Sequence, residues 1–312
     1  MPATILVTGA AGFAGSHLLD LLACDGARIV AWHRPGRTPP AASPSVQWEG
    51  VDLLDRVAVR QAIERARPSA VYHCAAAAHV GRAWDSAEST IAVNVRGTHH
   101  LCDALWRAEL RVPCLIPSSA MIYQPSPGAI GEDHPLVPPN PYGLSKLAQE
   151  LLALRSIPDG VNVRVARAFN HIGPRQDPFF AASGFARRIA DIERGRWAPE
   201  ISVGNLDAQR DLTDVRDTVR AYRLILDRGL PGRPYNVCSG RAVTIRHLLD
   251  LLIARARCRV SVKIDPARYR PNDYPMLLGN PFRLRDELGW TAEIPLEQTV
   301  DDLLEYWRAR NP

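Results

Sequence analysis

Two rhythms of apolar and polar positions run along this 312-residue chain. One is a short, continuous apolar run rich in β-branched residues, the mark of a buried strand; the other is an apolar stripe at helical spacing. Ala3-Thr4-Ile5-Leu6-Val7 is the first such run. Phe13 to Cys24, apolar at positions 14, 18, 19, 21 and 22, predicts the helix after it. Strands are then expected at Arg28–Trp32, Val46–Gly50, Ala70–Cys74, Val112–Ser119 and Val161–Ala168. Between them fall a helix over 55–66, a long helix over 84–108 with Ala87, Ile91, Val95, Thr98, Leu101 and Leu105 on one face, and a helix opened by Pro141. Asn94 is an unfavourable residue inside the long helix, so its side chain is expected to have a specific partner. Strand and helix in alternation predict an α/β fold: a Rossmann-type, doubly wound parallel sheet.

Beyond residue 170 the rhythm changes. Short strands (Glu200–Val203, Tyr235–Cys238, Val260–Ile264) mix with helices over 183–195, 214–228, 244–256 and 296–310. The expected division is a dinucleotide-binding unit over 1–169, with a return at about 205–230, and a smaller α/β substrate lobe over most of 170–312.

Candidate chemistry begins at the first strand-to-helix turn, Thr8-Gly9-Ala10-Ala11-Gly12-Phe13-Ala14-Gly15. Gly9 permits the tight turn, Gly12 lets backbone approach a pyrophosphate, and Gly15 lets helix and strand pack closely. The first-turn N–H groups and the helix dipole then face the phosphates. A unit that prefers NAD usually ends its second strand with an acid, to hold the ribose hydroxyls. This chain has Trp32-His33-Arg34, and Arg34 and Arg37 are placed to meet a 2′-phosphate, so NADP(H) is expected over NAD(H). Asp52, with Leu53 beside it, is a candidate acceptor for the adenine amino group. Small residues from Ala75 and Ala76 onward leave room for a ribose or nicotinamide. His79, just beyond, is read as structural.

Tyr142 and Lys146 are four apart, on one helix face. A phenol is a poor acid or base near neutrality, and a lysine one turn along is expected to lower its pKa. Ser119, at a strand end, can hydrogen-bond a substrate oxygen. The three together can protonate a carbonyl oxygen as hydride reaches its carbon. The stretch 124–141 holds six prolines and is expected to be a loop over the sheet's carboxyl edge, with Glu132 and Asp133 solvated in it.

The net charge of +5 comes from arginines spread along the chain, with lysines only at 146 and 263, so no nucleic-acid surface is expected. No apolar run approaches the ~18 residues a membrane span needs. The six cysteines form no CxxC pair, and a reducing cytoplasm with no metal site is the expected setting.

Thr8-Gly9-x-x-Gly12-Phe13-x-Gly15, Ser119-Ala120-Met121-Ile122-Tyr123 and Tyr142-x-x-x-Lys146 resemble the extended short-chain dehydrogenase/reductase superfamily, whose members act on nucleotide sugars. Ala14 stands where a larger aliphatic is usual. Phe169-Asn170-His171-Ile172-Gly173-Pro174 and the Val203–Asp211 stretch are similar to the GDP-mannose branch, as are Arg270-Pro271-Asn272-Asp273 and Leu278-Gly279-Asn280-Pro281. The resemblance implies a GDP-sugar substrate touched by Ser119, Ala120, Tyr142, Asn170, Val203, Arg210, Arg270 and Asp273. It also implies a homodimer through a four-helix interface, built from the 84–108 helix and the helix starting at Tyr142. The branch holds 4,6-dehydratases and 4-ketoreductases. The dehydratases carry a Glu where this chain has Met121, so the expected activity is reduction of the C4 ketone of GDP-4-keto-6-deoxy-D-mannose to a GDP-6-deoxyhexose, with GDP-D-rhamnose favoured. A nucleotide-sugar 4-epimerase, a dehydratase and a non-enzymatic dinucleotide-binding protein are the alternatives.

Overall fold

The computed structural model describes residues 3–24, 26–36, 45–81, 83–269 and 274–310. A seven-stranded, all-parallel sheet carries the strands β1 (Thr4–Thr8), β2 (Arg28–His33), β3 (Val46–Gly50), β4 (Ala70–His73), β5 (Pro113–Ser119), β6 (Asn162–Ala168) and β10 (Pro234–Val237). Their order is β10-β6-β5-β4-β1-β2-β3. Thr4 pairs with Arg28 on one side of β1, and Ile5 with Ala70 on the other. Chain order therefore reverses beside β1, and a crevice opens at the carboxyl ends of β1 and β4, where such sheets bind ligands. The Rossmann-type sheet expected from the alternation is present.

Both sheet faces are covered. Helices α1 (Phe13–Ala23), α7 (Val215–Arg228) and α9 (Phe282–Leu288) bury one face through Leu18, Leu22, Tyr222, Ile225 and Leu284. On the other, α2 (Arg56–Ala66), α4 (Gly97–Arg107) and α5 (Pro141–Arg155) contribute Val59, Ile63, Leu101, Leu105 and Ala153. Central strands buried on both faces need the continuous apolar runs that the sequence supplies.

The long helix expected over 84–108 is interrupted. Helix α3 (Ala87–Ile91) runs into a π-turn at Ala92–Arg96, and only then into α4. Asn94 sits in that turn with its side chain fully engaged. Its Oδ1 accepts from Ala77 N–H at 2.7 Å, and its Nδ2 donates to the Ala77 carbonyl and to Ser145 Oγ at 2.9 Å. The local widening aims this amide into the sheet end, a common use of π-turns at functional sites.

The second lobe centres on β9 (Gln209–Asp214), paired with β7 (Asn170–Ile172), β11 (Ala242–Thr244) and β13 (Met276–Leu277). Strand β8 (Glu200–Val203) pairs with β12 (Ser261–Ile264). Helices α6 (Ala181–Glu193), α8 (Ile245–Ile253) and α10 (Leu296–Arg310) close a separate core around Ile189, Leu252, Leu303 and Trp307. The return to the large sheet is made by α7, which lies within 205–230, and by β10, just beyond it. β9 stays in the small sheet, while Tyr235 and Val237 bury against the main core.

Candidate active site

The glycine turn has the shape a dinucleotide needs. Gly9 has φ +63°, and a Cβ there would lie 2.6 Å from Ala75 backbone. A Cβ on Gly15 would come within 2.3 Å of the Gly9 carbonyl oxygen. No side chain caps α1 at Gly12 and no acid occupies its first turn, so its leading N–H groups are open to an anion. These residues fit a bound dinucleotide. Ala14 packs against the main core, and Ala75 N–H donates to Thr8 Oγ1 at 3.2 Å, with half-buried Ala76 next to it. Phe13 stacks on His171 with centroids 5.5 Å apart and planes 11° from parallel, joining the turn to the second lobe. Burial pushes the His171 pKa down, so its ring is neutral there. Arg175 bonds His17 and Asp20 of α1 at 2.7 and 2.5 Å, and His17 Nε2 meets the Pro174 carbonyl. The 170–176 segment is thereby pinned across the crevice.

Around the adenine end, Arg34 is exposed just after β2. Asp52 is exposed and accepts from Leu54 N–H at 2.9 Å. Leu53 is buried against Gly97, and its carbonyl meets His100 Nδ1. Arg37, Arg270 and Asp273 lie outside the described residues.

The other wall is set by how α5 starts. Asn140 caps it by accepting from Gly143 N–H at 2.8 Å, and Pro141 fits the first turn. A Cβ on Gly143 would lie 2.2 Å from the Met121 carbonyl oxygen, so glycine is what lets α5 close onto the end of β5. Tyr142 and Ser119 thus meet, with the Ser119 hydroxyl hydrogen-bonded to the phenol. Burial raises the Tyr142 pKa, and the Ser119 bond only partly opposes it. The expected lowering by lysine is absent because Lys146 is engaged elsewhere: Nζ donates to the Pro117 carbonyl at 2.6 Å and to Gln149 Oε1. Lys146 itself is pushed down to about 8 by burial, against the pull of Glu150 and Cys74. Glu150 is held by Arg167 of β6, whose guanidinium also reaches Tyr123 Oη and the Glu132 carbonyl.

Glu132 does not take the solvated position expected of it. It is buried, accepting from Asn236 N–H at 2.9 Å beside Arg283, whereas Asp133 is exposed and paired with Arg283. The loop folds onto β10 and the 278–280 segment through Ile130, which takes Glu132 out of water.

Of the residues assigned to substrate, Ala120 is buried next to Ser119, Asn170 is exposed at the head of β7, and Val203 is buried at the end of β8. Arg210 is half-buried and donates to the Gln209 and Tyr274 carbonyls. Gly143, Gln149, Thr98 and His73 also bear on the site and escaped the sequence reading. Only the glycine following Tyr142 carried a visible signal.

A parallel doubly wound sheet, a glycine cradle at its switch point and a Ser-Tyr-Lys set on β5 and α5 together define an extended short-chain dehydrogenase/reductase. The chain belongs to the family described as GDP-mannose 4,6 dehydratase, whose sequence model matches residues 6–303. It is 36% identical over 314 residues to the GDP-6-deoxy-D-mannose reductase of Pseudomonas aeruginosa, covering 99% of both chains. The solved structure of RMD from Pseudomonas aeruginosa complexed with NADPH superposes with a TM-score of 0.85, at 33% identity and 99% coverage of both. The UDP-glucose 4-epimerase of Thermus thermophilus complexed with NAD gives a TM-score of 0.88 at 26% identity, covering 98% of this chain and 99% of that one. Among the described residues no helix is long and apolar enough to cross a membrane.

Proposed function

We propose that this chain reduces the C4 ketone of GDP-4-keto-6-deoxy-D-mannose with NADPH, yielding a GDP-6-deoxyhexose, GDP-D-rhamnose being the favoured product. The observation that carries this reading is end-to-end similarity to a GDP-6-deoxy-D-mannose reductase. The site chemistry supports it. When bound, the nicotinamide supplies hydride to the C4 carbon. Tyr142 donates the proton to the C4 oxygen, and its raised pKa keeps the phenol protonated through neutral pH, the form a reduction consumes. Ser119 orients phenol and ketone. Lys146 provides the nearby cation. Gly9, Gly12, Phe13, Ala14 and Gly15 cradle the diphosphate, Asp52 and Leu53 flank the adenine, and Ala75 and Ala76 clear space for the ribose. The 170–312 lobe is taken as the substrate lobe, with Asn170, Val203, Arg210, Arg270 and Asp273 on the GDP-sugar. Six free thiols suit the cytoplasm.

The direct test is incubation with GDP-4-keto-6-deoxy-D-mannose and either cofactor, with the sugar product identified by NMR. A GDP-6-deoxyhexose formed with NADPH is expected. Arg34 is exposed where a 2′-phosphate would lie, and a hydrogen bond to a charged group is worth ~1.5–3 kcal/mol. The kcat/KM with NADPH should therefore exceed that with NADH by about tenfold or more. A preference for NADH, or tightly retained NAD in the purified protein, would favour the epimerase reading.

The protein is further proposed to be a homodimer. Helices α3, α4 and α5 pack on one another and leave Ile91, Trp106, Leu144 and Leu151 exposed, apolar surface of the sort that pairs of helices cover. Light scattering at micromolar concentration should give twice the chain mass; a monomeric mass would contradict the interface.

A further inference from the structure

Lys146 is almost fully buried, and its cation lacks a carboxylate of its own. Glu150, one turn along α5, is taken up by Arg167, with Nη2 at 2.6 Å. What meets the ammonium is two neutral carbonyls, that of Pro117 and the side chain of Gln149. Gln149 has no exposed surface. Its Nε2 donates to Thr98 Oγ1 at 2.8 Å.

Counting protons fixes every orientation in this cluster. Thr98 has one hydroxyl proton and gives it to the Asn94 carbonyl at 2.7 Å. Its oxygen therefore accepts from both other neighbours, Gln149 Nε2 and His73 Nε2, the latter at 2.8 Å. His73 is buried and held neutral, its pKa depressed to about 3 by desolvation and by Lys146. With its proton on Nε2, its Nδ1 accepts from the Thr8 hydroxyl at 2.8 Å. Gln149 cannot flip: the reversed amide would turn an NH₂ group on the Lys146 ammonium and a carbonyl on an oxygen with no proton to give. A run of hydrogen bonds thus passes from the strand end before Gly9, through β4 and α4, to the lysine one turn from Tyr142.

We propose that Gln149 is a positioning residue for Lys146: its side-chain carbonyl, locked by Thr98 and His73, holds the lysine as an aimed cation without neutralising it. A carboxylate in that place would raise the lysine pKa and pair off its charge. An apolar side chain would strip an acceptor from a desolvated ammonium and favour the neutral amine. A neutral acceptor avoids both. An ammonium has three donors, and two are used here, so one stays available to the ligand side. The charged or titratable groups that act on Lys146 are Glu150 on its own helix, and His73 and Cys74 at the end of β4. Arg167 pairs with Glu150, and the Cys74 thiol is held up at about 12, so neither supplies a free anion at neutral pH.

This inference rests on the reading of Tyr142 and Lys146 as the reacting pair, but its test does not need the substrate. The chain has only two lysines, Lys146 and Lys263, and Lys263 is exposed on β12. Selective ¹³Cε-lysine labelling therefore gives two resonances, assigned with Lys263→Arg, whose pH titrations can be followed separately. Gln149→Glu, nearly isosteric, should move the Lys146 midpoint up by about one pH unit or more, and Gln149→Leu should move it down. Lys263 should not move in either. An unchanged Lys146 midpoint in Gln149→Glu, or movement in the same direction in both variants, would overturn the proposal. Should Gln149→Leu fail to fold, Gln149→Glu alone decides it. The reductase reading is judged separately by turnover of the wild-type chain, so failure of either leaves the other standing.

Discussion

Replacing Tyr142 with Phe should lower reductive turnover by ~10²–10⁴-fold, the usual cost of losing a positioned proton donor. Cofactor affinity should stay close to that of the parent. The substitution removes one oxygen and keeps the ring, so the fit of α5 against β5, set by Asn140 and Gly143, survives. It leaves the Ser119 hydroxyl with no phenol partner and no replacement acid, because burial of a hydroxyl beside a ketone does not make serine a proton donor near neutrality. The glycine cradle of β1 and α1 is untouched. Steady-state kinetics combined with a fluorescence titration of NADPH separates the two effects. Near-normal kcat would remove Tyr142 from the chemistry, and a loss of NADPH binding equal to the loss of rate would make it a binding residue instead.

Local chemistry was legible where one residue type answers one backbone demand. The glycines of the first turn follow from contacts that admit no Cβ, and the buried strands follow from sheets covered on both faces. Asn94 was conspicuous because a helix interior disfavours it. What the chain hides is pairing at a distance. Arg167 looks like an outward residue in an apolar strand, yet it is buried against Glu150, seventeen residues earlier, because α5 crosses β6 there. Glu132 sits among prolines and glycines that suggest a solvated loop, and only β10 and Arg283 give it a buried place. The π-turn at Ala92–Arg96 keeps the apolar spacing of an ordinary helix, so periodicity passes straight through it. Tyr142 illustrates the electrostatic version. The four-residue spacing to Lys146 implies a shared helix face, and both residues lie on α5. The sign of the pKa shift depended on burial, with the Ser119 hydroxyl only partly opposing it, which spacing does not report.

Incubated with GDP-mannose and either cofactor, the protein should form no 4-keto-6-deoxy sugar, although its family takes its description from that reaction. Elimination across C5–C6 needs a base for the C5 proton and an acid for the departing C6 hydroxyl. The strand end that would supply a carboxylate presents Ala120, without a functional group, and Met121, a thioether packed beside the Ala120, Tyr123 and Phe169 cluster. Buried carboxylates on neighbouring elements are committed. Glu150 takes three contacts from Arg167. Glu132 accepts from Asn236 N–H. Asp211 accepts from the N–H groups of Ser239 and Gly240 at 2.7 and 2.9 Å. Freeing any of them would leave buried partners unsatisfied, at ~1–3 kcal/mol per group and more where the partner is charged. A preformed 4-keto sugar demands only hydride and one proton, and Tyr142 holds that proton. Sugar NMR of the incubation should therefore return GDP-mannose unchanged over times in which the keto sugar is consumed with NADPH. Appearance of the dehydrated keto sugar would sink the reductase assignment and would mean that a carboxylate from another segment reaches C5.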